Sequence, residues 1–80
     1  MKARVTVTLK SGILDPQGKA IEGALKSLGV AGVLSVRQGK VFDIELAGAD
    51  PARAEAVLNA AAEKLLANMV IENYRIEMGG

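Results

Sequence analysis

The stretch Val33-Leu34-Ser35-Val36-Arg37-Gln38-Gly39-Lys40-Val41-Phe42-Asp43-Ile44-Glu45-Leu46 decides how this chain is read. Two strand-like runs, Val33 to Arg37 and Val41 to Leu46, meet at Gln38-Gly39, and a Gly-containing turn between such runs predicts an antiparallel hairpin. Upstream, Asp15-Pro16 reads as an N-cap followed by proline at the first helical position, where a missing N–H costs nothing. The helix it opens carries an apolar stripe of Ile21, Ala24, Leu25 and Leu28, and Gly29 stands beyond it as the expected C-terminal stop. Earlier still, Ala3, Val5, Val7 and Leu9 alternate with Lys2, Arg4, Thr6, Thr8 and Lys10, the period-2 pattern of a half-buried strand. Downstream, Asp50-Pro51 repeats the helix start. Ala54, Val57, Leu58, Ala61 and Leu65 mark the stripe of a second, Ala-rich helix ending near Asn68. Tyr74, Ile76 and Met78 alternate with Asn73, Arg75 and Glu77 in a last strand.

The order β-α-β-β-α-β, in one domain spanning residues 1–80, predicts an α+β fold of ferredoxin-like type. Right-handed crossovers interleave the two βαβ halves into a four-stranded antiparallel sheet with two helices on one face. The other face is left open. Alternation assigns to it Arg4, Thr6, Thr8, Val33, Ser35, Arg37, Val41, Asp43, Glu45, Arg75 and Glu77. That face is polar and mixed in sign, suited to cross-strand ion pairs in solvent or to a protein interface. The candidate interface residues are Thr6, Thr8, Arg37 and Arg75, with Lys40 beside the turn and Gly23 on the first helix. Gly18 and Gly23 each cost that helix on the order of 1 kcal/mol relative to Ala. Gly23 lies about 200° round the wheel from Ile21, where a missing side chain lets a partner backbone approach.

Eighty residues make one core, and a chain of this size needs a disulfide, a metal or a partner to be more than marginal. It has no Cys and no His, which removes disulfides and imidazole ligands and leaves association as the remaining support. Ten basic and nine acidic residues give a formal charge of +1, no footprint for nucleic acid or an anionic membrane. The apolar runs are far shorter than the roughly 20 residues a membrane span needs. The N-terminus enters a strand pattern with no apolar leader, so a cytoplasmic protein is expected.

Catalytic readings fare poorly. Gly12 to Lys19 resembles a phosphate loop, but its glycines are one residue too far apart and Ala20 stands where a Ser or Thr must reach magnesium. Asp15 also puts negative charge where phosphates would sit. Ser11, Ser27 and Ser35 have no His or Cys to work with. Asp43 and Glu45 share a strand face, but with Arg and Lys nearby they are better placed for salt bridges than for acid–base work. Stacking on RNA is excluded because Phe42 and Tyr74, the only aromatics, fall on the buried side. No catalytic, metal or cofactor residue is assigned. Asp15 and Asp50 are assigned as structural caps.

Three blocks of the sequence resemble the PurS family. They are Leu9 to Leu25 (LKSGILDPQGKAIEGAL), Gly32-Val33 with Val36-Arg37-Gln38-Gly39-Lys40, and Leu65 to Glu77 (LLANMVIENYRIE). The resemblance covers essentially the whole chain. Ser11 and Met69 depart from it where the family often has Pro, and Asn73 where it often has Asp. The resemblance implies a small subunit of phosphoribosylformylglycinamidine synthase, which converts formylglycinamide ribonucleotide, glutamine and ATP to the amidine, glutamate, ADP and phosphate. In the split enzyme PurL carries the synthetase and PurQ the glutaminase. The small subunit brings them together and helps ammonia pass between them. On this resemblance the chain binds no cofactor, its partners use ATP, magnesium and glutamine, and it forms a homodimer or dimer of dimers. The rival reading is a small-molecule-sensing regulatory domain of the same topology. A free-standing small phosphatase ranks third, because the Arg-and-Asn phosphate loop it requires is not visible.

Overall fold

Strand β1 (Lys2–Leu9) is the centre of a three-stranded antiparallel sheet, flanked by β2 (Gly39–Glu45) and β3 (Glu72–Met78) in the order β2-β1-β3. Helix α1 (Pro16–Ser27) comes after β1; α2 (Pro51–Ala61) runs into a π-helical turn (Ala62–Leu66) before β3. The computed structural model describes residues 1–48 and 50–79. Among these, no helix is long and apolar enough to cross a membrane.

The alternation of β1 sets the sidedness of the sheet. Ala3, Val5 and Val7 point into the core, and each lies between a residue of β2 and one of β3: Ala3 between Ile44 and Met78, Val5 between Phe42 and Ile76, Val7 between Lys40 and Tyr74. Helix α2 covers this face with Leu58, and the π-helical turn adds Ala62; both are essentially inaccessible to solvent. The Tyr74 hydroxyl ties β3 to α2, lying 2.7 Å from Asn59 Oδ1 and 3.1 Å from Glu63 Oε1.

The second helix departs from its predicted stripe. A regular helix would carry Ala54, Leu58, Ala61 and Leu65 on one face. The π-helical turn, marked by Ala67 N–H donating to the Ala62 carbonyl at 2.8 Å, inserts an extra residue and rotates the chain beyond it. Leu66 is therefore turned toward the core and Leu65 out into solvent, while Val57 is also exposed.

The larger correction concerns the hairpin. The sheet of the single chain has three strands, not four; among the described residues, Val33 to Gln38 pairs with no strand. A tight hairpin at Gln38-Gly39 needs positive φ there, and Gly39 has none. Instead Gly39 lies inside β2 opposite Thr8, where a Cβ would come within 2.7 Å of the Val7 carbonyl oxygen. The segment before it is drawn toward the loop that leaves β1. Asp15 accepts from Gln38 N–H at 2.7 Å, and the Arg37 guanidinium donates to the carbonyls of Leu9, Lys10 and Ile13 at 3.1–3.4 Å. Helix α1 goes with this segment and makes no more than marginal contact with any strand, so it is α2 that covers the sheet.

Candidate protein-binding surfaces

The open face of the sheet carries Lys2, Arg4, Thr6 and Thr8 of β1 between Val41, Asp43 and Glu45 of β2 and Asn73, Arg75 and Glu77 of β3. Thr6 is directly opposite both Val41 and Arg75. Arg4 Nε donates to Asp43 Oδ1 at 2.8 Å, and Arg75 pairs with Glu77 at 3.0 Å. The hydrogen bond and charge of Asp43 push the Arg4 guanidinium further up, and Arg4 in turn holds the Asp43 carboxyl below its ordinary range. All these side chains are more than half exposed. Such pairs fix orientation and add little stability. At one end of the sheet an open depression of about 800 Å³ lies among Lys2, Arg4, Asp43, Glu45 and Glu77, its charges mixed in sign.

A second surface is the arm made by α1 and the segment leading into β2. At its base Asp15 is buried; its carboxylate accepts from Gly18 N–H at 2.8 Å as the helix cap and from Gln38 N–H on its other oxygen. The two N–H donors, Gln38 foremost, hold its pKa below the usual carboxylate value. Gly18 packs so closely on the return segment that a Cβ there would collide with the Val36 carbonyl oxygen. Glu22, Leu25, Val33 and Val36 are half-buried within the arm. The rest of the predicted core stripe is not buried: Ile21 is 39% and Leu28 77% exposed, with Leu14 and Leu34 at 69% and 94%. Gly23 stands on the outside with no atom near its missing side chain.

The structure thus gathers Thr6, Thr8 and Arg75 on one face and separates the other sequence-predicted interface residues from them. Arg37 is off the sheet, bound to carbonyls. Lys40 lies on the core side of β2, its ammonium 3.9 Å from Glu72. Asp50 caps α2 by accepting from Ala52 and Arg53 N–H at 3.1 and 3.4 Å. The exposed stripe of the arm escaped sequence reasoning because periodicity identifies an apolar face without saying what covers it. Among the described residues no group of three or more Asp or Glu is placed to hold a metal ion.

The sequence model of PurS, described as phosphoribosylformylglycinamidine (FGAM) synthase, matches residues 2–80. The chain is 49% identical over 75 residues to the phosphoribosylformylglycinamidine synthase subunit PurS of Mycobacterium leprae, covering 94% of this chain and 91% of that one. It is 42% identical over 77 residues to the Bacillus subtilis subunit, covering 96% and 90%. Among solved structures it resembles Bacillus subtilis PurS with a TM-score of 0.87 at 40% identity, over 99% of this chain and 98% of that one. It also resembles a chain of PurLQS from Thermotoga maritima, with a TM-score of 0.88 at 30% identity over 95% and 93%. A full-length match of both sequence and fold leaves one conclusion: the chain belongs to the PurS family of phosphoribosylformylglycinamidine synthase subunits.

Proposed function

We propose that this chain is the non-catalytic assembly subunit of a phosphoribosylformylglycinamidine synthase complex in de novo purine biosynthesis. It holds a PurQ-type glutaminase and a PurL-type ATP-dependent synthetase together and aids the passage of ammonia between them. The observation that carries this reading is the likeness of the chain, over 95% of its length, to a chain of the Thermotoga maritima PurLQS structure.

The chemistry of the residues supports the same division of labour. With no His and no Cys, the usual nucleophile–base pairs cannot be formed. The strand-to-helix loop that resembles a phosphate site is filled by the Asp15 carboxylate. Glutamine, ATP and magnesium belong in this reading to the partner subunits, and the protein acts in the cytoplasm. Ammonia is small and diffusible, so a subunit that fixes two active sites in one assembly raises flux through both without taking part in either reaction. The exposed apolar residues of the arm support self-association as well, into a homodimer or a dimer of dimers.

The deciding assay gives the synthetase and glutaminase either glutamine or ammonium chloride, with and without this chain. Strong dependence on the chain with glutamine and weak dependence with ammonium is expected. Equal rates with glutamine in its absence would overturn the assembly role.

A further inference from the structure

Turns exposed to water favour Gly, Pro, Asn, Asp and Ser, and one end of this molecule breaks that rule. β1 ends at Leu9, opposite the start of β3 at Glu72. Here the chain turns twice, through Lys10 to Leu14 after β1 and through Asn68 to Ile71 before β3. The Lys10 N–H donates to the Ile71 carbonyl at 2.8 Å and ties the two turns together. Leu14 is 69% and Val70 81% exposed, with Met69 exposed beside it. The second turn is nevertheless firmly built. Val70 N–H donates to Asn68 Oδ1, Asn68 N–H to Glu72 Oε1, and the N–H groups of Ile71 and Glu72 to the Asn68 carbonyl, at 2.7–3.1 Å. A turn held in this way presents its side chains already in place, at little ordering cost to a partner. The π-helical turn ends just before it and adds to the same surface: Leu66 goes to the core and Leu65 is left 82% exposed. Such insertions recur at functional sites.

The charge at this end is cationic. Among the described residues Lys10 and Lys64 form no ion pair, and Arg37 binds carbonyls and not a carboxylate. The nearby carboxylates are taken up within the chain: Glu72 by Asn68 N–H and Lys40, Glu63 by the Tyr74 hydroxyl, Asp15 by Gly18 and Gln38 N–H.

We propose that Leu14, Leu65, Met69 and Val70, rimmed by Lys10 and Lys64, dock on another subunit of the synthase complex, at an apolar patch bordered by carboxylates. This rests on the assembly reading above and locates one of its contacts. Charge chooses the occupant. A second copy joined here about a two-fold axis would set the same unpaired cations of both chains in one interface, whereas a carboxylate-bearing partner complements them. Two or three cations also fall short of the cluster of about four to eight that holds a protein on an anionic membrane.

The test compares the wild type with Leu65→Ser/Val70→Ser and Lys10→Glu/Lys64→Glu. It reads the concentration of each that half-saturates glutamine-dependent amidine formation by the synthetase and glutaminase. Light scattering gives the mass of each chain, and flotation with phosphatidylcholine–phosphatidylserine vesicles reports membrane binding. Both variants should need about tenfold more protein than the wild type, or higher, with masses unchanged and nothing floating. Either variant half-saturating at the wild-type concentration overturns the docking surface and leaves the assembly reading standing. A serine variant of lower mass, which would mark a contact between copies, does the same, as does flotation of the wild type. Amidine formation from glutamine that is indifferent to the wild-type chain overturns both.

Discussion

At the scale of single residues, two glycines of α1 that look alike in the sequence behave as opposites. Gly18 faces the Val36 carbonyl across a contact too short for any Cβ, and the obstacle is backbone, which cannot swing aside. Gly18→Ala should therefore lower stability by about 1–3 kcal/mol. Gly23 meets nothing within 4 Å. Gly23→Ala should raise stability by about 0.5–1 kcal/mol through helix propensity. Urea melts of the two variants measure both, and similar effects at the two sites would contradict the packing described. Asp15 gives the pH dependence. Its carboxyl is depressed in the folded chain, chiefly by Gln38 and Gly18 N–H, and the Asp43 carboxyl is depressed by Arg4. A group with a depressed folded pKa contributes stability that is fully present above the ordinary carboxylate value, about pH 4, and is lost as pH falls through the folded one. Stability should hold from neutrality down to about pH 4 and decline below it. Asp15→Asn should be less stable at neutral pH with a shallower acid decline, read from denaturation midpoints across the range. The cap role of Asp15 was legible from Asp-Pro alone. Its bond to Gln38, 23 positions away, was not, because no local pattern records it.

At the scale of elements, periodicity identified each strand of the observed sheet and both helices, because each has a face that is buried or polar in a regular alternation. It failed for Val33 to Gln38. Those residues have strand composition, yet Arg37 and the carbonyls of Leu9, Lys10 and Ile13 set their path, and composition is silent about that. It failed again past Ala61, where the π-helical turn changes the period and exchanges Leu65 for Leu66. The α2 layer is what holds the sheet. Leu58 is 1% exposed and lies at its centre, so Leu58→Ala should cost about 2–5 kcal/mol. Asp50→Ala, which removes only the cap, should cost about 0.5–2 kcal/mol. Denaturant melts compare the two, and a cap variant as damaging as the core variant would mean that α2 stands by its first turn and not by its packing.

At the scale of the whole molecule, the self-association proposed for this 80-residue chain would couple its stability to protein concentration. Its thermal midpoint should rise with protein concentration, as for any fold whose stability is coupled to association. Scanning calorimetry from dilute to concentrated samples tests this, and a constant midpoint would indicate a self-sufficient monomer.

The arm also governs how the protein comes to be made. Each chain can close its three-stranded sheet under α2 alone, and in the self-association proposed above the exposed stripe on α1 is covered only after a collision with a second chain. Refolding should then show a fast first-order phase succeeded by a second-order one, with the later phase slowed about tenfold by tenfold dilution. In the interval the apolar stripe is bare, so the yield of native protein should fall when many chains refold at once in competition with aggregation, and recover when a chaperone shelters them.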